Sequence, residues 1–373
     1  MNSTATKRLK VALKALCVAL LAVVVIVCGY ASYFVFSFSR VGDQSLAVKQ
    51  GGKNASTVIT AVEYNLLSWN VGFGAYSDDY SFFMDGGKYG RAYSEQAVKD
   101  NMQGILNTVS GNAKQAAGGK FSFICYQEVD IKGTRSYNVN QREILEKSIP
   151  DPASTFAITY DCPYIAIPLN DMHGANTSGM LTLSEFSIKS AKRVEVSIEE
   201  GLYKYVDCDR CYSLNRFSVS NGKELVVINL HFSAYTSDEK IGNQQLEELI
   251  EECKYELSLG NYVICAGDFN KDLLGNSNEV FGNTNLENAN WAKPINTQIL
   301  EDSGIKLIAP RGADKEVASC RNADKPYAED SFLVTVDGFL VSSNVTVKRS
   351  GVVDGQFKYS DHNPVFLSFS LNQ

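Results

Sequence analysis

Short apolar runs bounded by turn residues recur from about residue 61 to the end of the chain. Runs of this length, rich in β-branched and aromatic residues, predict β-strands. They read AVEYNLLSWNV, FSFICYQEV, FAITY, YIAIPL, GMLTLS, CYSLNRFSV, ELVVINLHF, YVICAGDFN, FLVTVDGFLVS and NPVFLSFSL. Helical stretches are predicted between them at about 94–109, 140–148 and 237–259, the last opening with Thr236 three residues before Glu239, a capping-box pattern. The alternation predicts one α/β domain over residues 61–373.

The N-terminus has a different pattern. Leu9–Phe38 is almost unbroken in its apolar character, and about 20 apolar residues suffice to cross a bilayer as a helix. We therefore expect a transmembrane helix over residues 15–38. A cleaved signal peptide is the alternative, although the run is longer than the 7–15 residues typical of its apolar core.

Charge around this run predicts its orientation. Four basic residues precede it within the short tail 1–14, and only Arg40 follows it closely. The positive-inside rule then places the N-terminus in the cytoplasm and the large domain outside the cell or compartment. Residues 39–60 are polar and rich in Gly, Ser and Lys, which predicts a flexible linker between membrane and domain.

The formal charge of −7 conceals an uneven distribution. Residues 1–40 carry five basic and no acidic side chains, so the remainder holds 30 basic against 42 acidic residues, a net charge of −12. Proteins that bind nucleic acid without sequence preference usually have a basic surface. The acidic domain disfavours, but does not exclude, a nuclease.

Polar side chains stand where several predicted strands end. Asn70 follows LLSW, Glu128 follows ICYQ, His231 follows VVINL, and Asp268 with Asn270 follows VICAG. Each alone is explained by a turn or a solvated strand end. Their recurrence, with a further histidine in the segment SDHNP, predicts a polar site at one edge of the sheets.

Seven motifs in this order carry a resemblance to a known family. They are SWNVG, YQEVD, SGMLTLSEFSI, INLHFSA, AGDFN, VDGFLVSS and YSDHNPV. Together they resemble the successive signatures of the endonuclease/exonuclease/phosphatase family. That resemblance implies a four-layer α/β sandwich, in which two packed mixed sheets are flanked by helices.

The resemblance also implies a divalent metal, Mg²⁺ or Mn²⁺. Glu128 would bind it with support from Asn70, and Asp361 would lie near the same ion or a second one. Oxygen ligands of this kind suit a hard ion.

The remaining roles follow from the same resemblance. Asp268 would orient or deprotonate the attacking water, and Asn270 would donate hydrogen bonds to the phosphorane oxygens. His362, tuned by Asp337, would contact the phosphate or transfer a proton, and His231 would be a second donor on the phosphate side.

Departures from the family pattern narrow the substrate. The tryptophan-cysteine-aspartate-arginine stretch of inositol-phosphate phosphatases is absent near VDGFLVSS, and a histidine stands at position 231, as in the deoxyribonuclease-like and sphingomyelinase-like branches. Arg216 falls where the deoxyribonuclease-like branch has a phosphate-binding arginine; an exposed strand arginine is the alternative.

Three features stay outside the shared pattern. The aromatic segment Gly74–Tyr93 either selects the substrate or packs on the domain's own surface. His173 is expected to be an ordinary loop residue. Cys208 and Cys211 are expected to form a loop disulfide or to be two idle thiols, since a lone C-x-x-C is a weak zinc or redox signal.

The sequence thus predicts a metal-dependent phosphoesterase held at the outer face of a membrane by its N-terminal helix. Its substrate is a phosphodiester or phosphomonoester, whether lipid, nucleotide or nucleic acid, and no protein partner is predicted. One alternative is a nuclease acting on extracellular DNA or RNA. The other is a catalytically silent binding module of the same fold.

Overall fold

The computed structural model describes residues 3–199, 201, 204, 209–234, 239–284 and 291–373. The chain separates into two units, one ending at Arg40 and the other beginning at Val41. The first unit is helix α1, Ser3–Phe36. Its segment Thr6–Phe36 is long and apolar enough to cross a membrane, a property that signal sequences share. Most of the predicted tail 1–14 is thus helical as well.

Two large sheets form the second unit. The first has seven strands, in spatial order β1 (Gln44–Ser45), β6 (Ser190–Glu195), β7 (Cys211–Ser218), β8 (Glu224–His231), β9 (Tyr262–Asp268), β13 (Asp337–Ser342) and β10 (Ile305–Ile308). The second has six, in the order β14 (Val345–Val352), β15 (Val365–Leu371), β2 (Glu63–Asn70), β3 (Phe123–Gly133), β5 (Gly174–Ser184) and β4 (Ala153–Ile165). A small pair, β11 (Cys320–Arg321) and β12 (Leu333–Val334), stands apart.

Helices cover the outer faces of the sheets. They are α2 (Glu95–Thr108), which continues through a π turn at Val109–Ala113 into α3 (Lys114–Ala116), then α4 (Gln141–Leu145), α5 (Glu239–Ser258) and α6 (Ser277–Phe281). Single 3₁₀ turns occupy Gly72–Gly74, Phe83–Asp85, Glu146–Ser148 and Thr297–Leu300. Thr236, the predicted cap of α5, lies outside the described residues.

Continuous apolar strands form because both faces of each sheet are covered. In β2, Leu66 packs between the two sheets while Leu67 packs toward α2. In β9, Ile264 likewise lies between the sheets and Val263 packs toward α5. A strand buried on both faces has no polar side to alternate with. The layers are therefore helix, sheet, sheet and helix, which confirms the predicted four-layer α/β sandwich.

The segment expected to be a flexible linker, residues 39–60, is instead packed on the domain from Val41 onward. Gln44 and Ser45 pair with β6, Lys49 bridges to Ser154 of β4, and Val58 is fully buried. Although residues 41–60 are mostly polar, a few buried apolar side chains and pairing with edge strands hold this segment against the domain. Its composition alone led to the wrong expectation.

Candidate active site

The polar residues predicted at strand ends lie together at one end of the two sheets. The directions of the strands explain why they meet there. Strands β8 and β9 are parallel, so His231 and Asp268 lie side by side where both strands end. Strand β13 runs antiparallel to β9, so its first residue, Asp337, pairs with Asp268. In the facing sheet β15 runs antiparallel to β2, which brings Asp361, just before β15, to the end marked by Asn70.

Backbone conformation at this end is unusual. Glu128 lies at a register shift in β3, with φ of 55°, and Asn270 has φ of 49°. Left-handed conformations are uncommon for residues other than glycine and concentrate at functional sites. At Glu128 the irregularity interrupts the alternation of the strand.

Asn70 connects the two sheets at the floor of the site. Its Nδ2 donates to Glu128 Oε1 and to Asp268 Oδ2, each at 3.1 Å. Its Oδ1 accepts from the backbone N–H of Gly72 at 3.0 Å, which fixes the orientation of the amide. Asn70 thus holds one carboxylate from each sheet in place.

A second chain of contacts joins His362 to two aspartates. Its Nδ1 lies 2.8 Å from Asp337 Oδ2, and its Nε2 lies 3.7 Å from Asp268 Oδ2. Asp268 is in turn held by Asn270, whose backbone N–H donates to Oδ1 at 2.8 Å. Asn270 Nδ2 donates to the carbonyl of Phe232 at 2.8 Å, and an amide nitrogen carries a second N–H.

His231 completes the site on the opposite side of Asp268. Its Nε2 lies 3.6 Å from Asp268 Oδ2 and 3.9 Å from Glu128 Oε1. We call the resulting depression the cleft; it is lined by Glu128, His231, Asp268, Asn270, Asp361 and His362 among others. Asp337 lies behind it, fully buried.

The two histidines have opposite protonation preferences. For His231, burial is the main cause that lowers the pKa well below its usual value, and nearby Arg210 and His362 add to it. Burial also acts to lower the pKa of His362, but Asp337 and other neighbours outweigh it and raise the pKa well above its usual value. Near pH 7 the cleft therefore holds one neutral imidazole and one imidazolium.

Carboxylates in the cleft are short of positive charge. Burial raises the pKa of Asp268 to about 7, and Asp337 adds to the shift. Burial raises the pKa of Asp361 to about 6, His362 opposes that shift and Glu128 adds to it. Acidic groups in a site of low dielectric favour a bound cation, so these oxygens fit a divalent metal.

Two groups of residues could hold that ion. Asp268, Asp337 and His362 place one potential ligand atom each within 4.8 Å of one another. However, Asp337 is fully buried behind the cleft, and its Oδ2 holds His362 Nδ1 at 2.8 Å. Glu128 and Asp361 both line the open cleft, and we favour this pair, with Asn70 as their support.

Arg216, the predicted phosphate-binding arginine, is not brought to the cleft. On β7 it lies opposite Val226, five residues from Cys211, the partner of His231. Its guanidinium pairs with Glu224 at 2.9 Å and with Glu256. This arginine joins β7 and β8 to α5 at a distance from the site.

Other residues line the cleft although none is predicted individually as a site residue. Arg210, Cys320 and Tyr76 line it, and Cys320 Sγ lies 3.5 Å from His362 Nε2. Arg210 and Cys320 stand in no recognisable motif, whereas Tyr76 belongs to the aromatic segment Gly74–Tyr93. Cys211 is buried, with its Sγ 3.7 Å from the carbonyl oxygen of Ile158, whereas Cys208 lies outside the described residues.

No family model matches the chain. No curated protein matches it either.

Solved structures do match, at low sequence identity. An endonuclease/exonuclease/phosphatase from Beutenbergia cavernae has a TM-score of 0.54 and 13% identity over 83% of this chain and 72% of its own. A family protein from Leptotrichia buccalis has a TM-score of 0.51 and 13% identity over 83% and 100%. The human Nocturnin catalytic domain, with bound sulfate, has a TM-score of 0.51 and 14% identity over 88% and 97%. The chain therefore has the fold of the endonuclease/exonuclease/phosphatase proteins, as its ordered motifs predict.

Proposed function

We propose that the protein is a divalent-metal-dependent phosphoesterase that hydrolyses a phosphodiester or phosphomonoester by attack of an activated water. The observation that carries the proposal is the convergence of Asp268, Glu128 and His362 on one cleft from strands far apart in sequence. A phosphoester is an anion that repels anionic nucleophiles. Such a site offers positive charge beside a carboxylate that can activate the attacking water.

Asp268 is the group placed to prepare the water. Its pKa of about 7 lets the carboxylate accept a proton near neutral pH, where general bases are most effective. One water proton passes to Asp268, the water oxygen bonds to phosphorus, and the bond to the leaving oxygen breaks. Asn70 and the backbone N–H of Asn270 hold the carboxylate during this step.

The phosphate side of the cleft has two imidazoles. The charged His362 offsets negative charge developing on the phosphoryl oxygens, and Asp337 acts as its positioning residue through Nδ1. Neutral His231 supplies a hydrogen bond without adding charge. The second N–H of Asn270 Nδ2 is suited to the same oxygens.

Glu128 and Asp361 are the residues that would hold Mg²⁺ or Mn²⁺, with Asn70 orienting Glu128. The ion would supply Lewis acidity toward a phosphoryl oxygen. The nuclease alternative rests on the same cleft. The domain's net charge of −12 favours a small or lipid phosphoester over long nucleic acid.

The test is hydrolysis of bis-p-nitrophenyl phosphate by the full-length protein in detergent, with Mg²⁺ or Mn²⁺. We expect turnover that excess chelator abolishes and added metal restores. Turnover that persists in chelator would contradict the metal requirement. Binding without turnover would favour a silent binding module.

We further propose that α1 anchors the protein as a single transmembrane helix, with the domain on the outer side. The proposal is supported by its length and by the basic residues that precede its apolar core. The full-length protein should sediment with membranes after carbonate washing, and added protease should digest its domain in intact cells. Recovery of a shortened, soluble chain in the medium would show that the segment is a cleaved signal.

A further inference from the structure

A second cavity adjoins the cleft. We call it the aromatic pocket; it is lined by Phe73, Phe82, Arg135, Tyr160, His173 and Ser178 among others. Glu128 and His231 line both the pocket and the cleft, so the two are continuous. Its cavity volume is about 90 Å³, a space suited to one flat ring but not to a bulkier group.

The walls of the pocket are fixed by contacts within the domain. The Phe73 carbonyl accepts a 2.6 Å hydrogen bond from Gln141 Nε2, and the Phe82 backbone N–H donates to Ala323 at 2.7 Å. The Phe82 and Phe73 rings lie 5.7 Å and 6.2 Å from the His173 ring. A preformed aromatic wall binds a flat group with little loss of conformational entropy.

A cation is disfavoured inside this pocket. The Arg135 guanidinium lies 3.9 Å from the centroid of the Phe73 ring and 5.0 Å from that of Tyr160. Arg135 is itself paired with Asp130 through two hydrogen bonds of 2.7 and 3.0 Å. These ring faces already carry a cation, so a quaternary ammonium group would meet repulsion instead of an empty aromatic cage.

Two polar atoms instead suit a neutral ligand with a hydrogen-bonding edge. Ser178 is 1% exposed, and its Oγ has no hydrogen-bond partner among the described residues. His173 Nδ1 lies 2.6 Å from the carbonyl of Gly90, so Nδ1 carries the proton and Nε2 is an acceptor. Burial lowers the pKa of His173 to about 4, with Arg135 adding to the shift, which keeps the ring neutral at pH 7.

We propose that the aromatic pocket binds a planar, uncharged group with a hydrogen-bonding edge, such as a nucleobase, carried on one side of the scissile phosphoester. The inference rests on the proposed phosphoesterase function and names its substrate class. It assigns the segment Gly74–Tyr93 to substrate selection, because Tyr76, Phe82 and Met84 line the pocket.

The test compares four p-nitrophenyl phosphodiesters with full-length protein in detergent and Mg²⁺. Their second ester groups are 5′-thymidyl, benzyl, methyl and choline. We expect kcat/KM to be at least about tenfold higher for the thymidyl than for the methyl ester, mainly through KM, because aromatic contacts and a hydrogen-bonding edge both contribute. The benzyl ester should fall between them, and the choline ester should be no better than methyl.

Ser178→Ala tests the polar edge. We expect it to reduce the preference for thymidyl over benzyl about three- to tenfold, the effect of one hydrogen bond. Thr177→Ala is the matched control, because the neighbouring side chain bonds instead to Asp161 at 3.0 Å, and the preference should be unchanged.

The outcomes separate the two proposals. Equal kcat/KM for thymidyl and methyl esters, or a preference for choline, would overturn the pocket assignment and leave the phosphoesterase intact. A preference for thymidyl that Ser178→Ala does not change would overturn the hydrogen-bonding edge. Absence of metal-dependent hydrolysis for all four esters would overturn the proposed function and, with it, this inference.

Discussion

The cleft and the aromatic pocket lie side by side but are built in different ways. Residues of the cleft stand at or beside strand ends, where sheet register fixes their spacing, as for Asp268 beside His231. The pocket is walled by Phe73 and Phe82 from the segment after β2 and by Tyr160 and His173 from β4 and its connection to β5. The comparison indicates that strand ends set the chemistry, whereas connecting segments, joined by Tyr160 of β4 and Ser178 of β5, set selectivity.

The largest effect that would separate the two regions is expected at the phosphate side of the cleft. His362→Ala should lower kcat at least about a hundredfold, because general acid–base and electrostatic contributions run from about 10² to 10⁴. Combined with Asp268→Asn, the loss should be only slightly greater than in the poorer single variant, since groups that act as a unit are not additive. Steady-state kinetics with an activated diester measure both; multiplicative losses would show that the two residues act independently.

A smaller effect is expected at the metal side of the same cleft. Glu128→Gln removes an anionic ligand while preserving shape, so the Mg²⁺ concentration for half-maximal activity should rise about tenfold or more. Titration of activity with Mg²⁺ measures this change. An unaltered titration would place the ion at Asp268, Asp337 and His362 instead.

Most cleft residues could be predicted from the sequence, because each is marked by a short local pattern. An apolar strand followed by a polar residue is visible in LLSWN or VICAGD, and strand direction then decides which ends meet. For Arg216 the family resemblance pointed to the cleft, but its position along β7 places it five residues from the strand end that reaches the cleft. The composition of Gly74–Tyr93 marked one wall of the pocket as a candidate for substrate selection, but Ser178 and His173 join that wall only through tertiary contacts. The packing of Val58 on the domain was missed, because the composition of its segment is polar.

The next effect concerns stability and pH. Asp268 has a folded pKa of about 7 against an ordinary value of 3.8, so its contribution to stability is complete below about pH 4 and is lost as pH rises through 7. Metal-free protein should therefore lose more Tm between pH 5 and pH 8 than Asp268→Asn does, by about 2–4 °C or more. Calorimetry measures the difference. Parallel pH profiles would show that Asp268 titrates normally.

The smallest effect on turnover is expected at Arg216, which lies outside both regions. Arg216→Gln should leave kcat within about twofold. It should lower the free energy of unfolding by about 3–5 kcal/mol, because the buried Glu256 side chain would lose its charged partner. Chemical denaturation and kinetics on the same sample separate the two. A large loss of kcat in stably folded protein would restore Arg216 as a phosphate ligand.

The most direct test of the cleft is turnover by Asp268→Asn in full-length protein. Asparagine keeps the shape of the side chain but cannot accept the proton of the attacking water. With saturating Mg²⁺ and bis-p-nitrophenyl phosphate, kcat should fall at least about a hundredfold while the cooperative unfolding transition is retained. A folded variant that hydrolyses the diester at nearly the wild-type rate would contradict the assignment of Asp268 as the group that activates water.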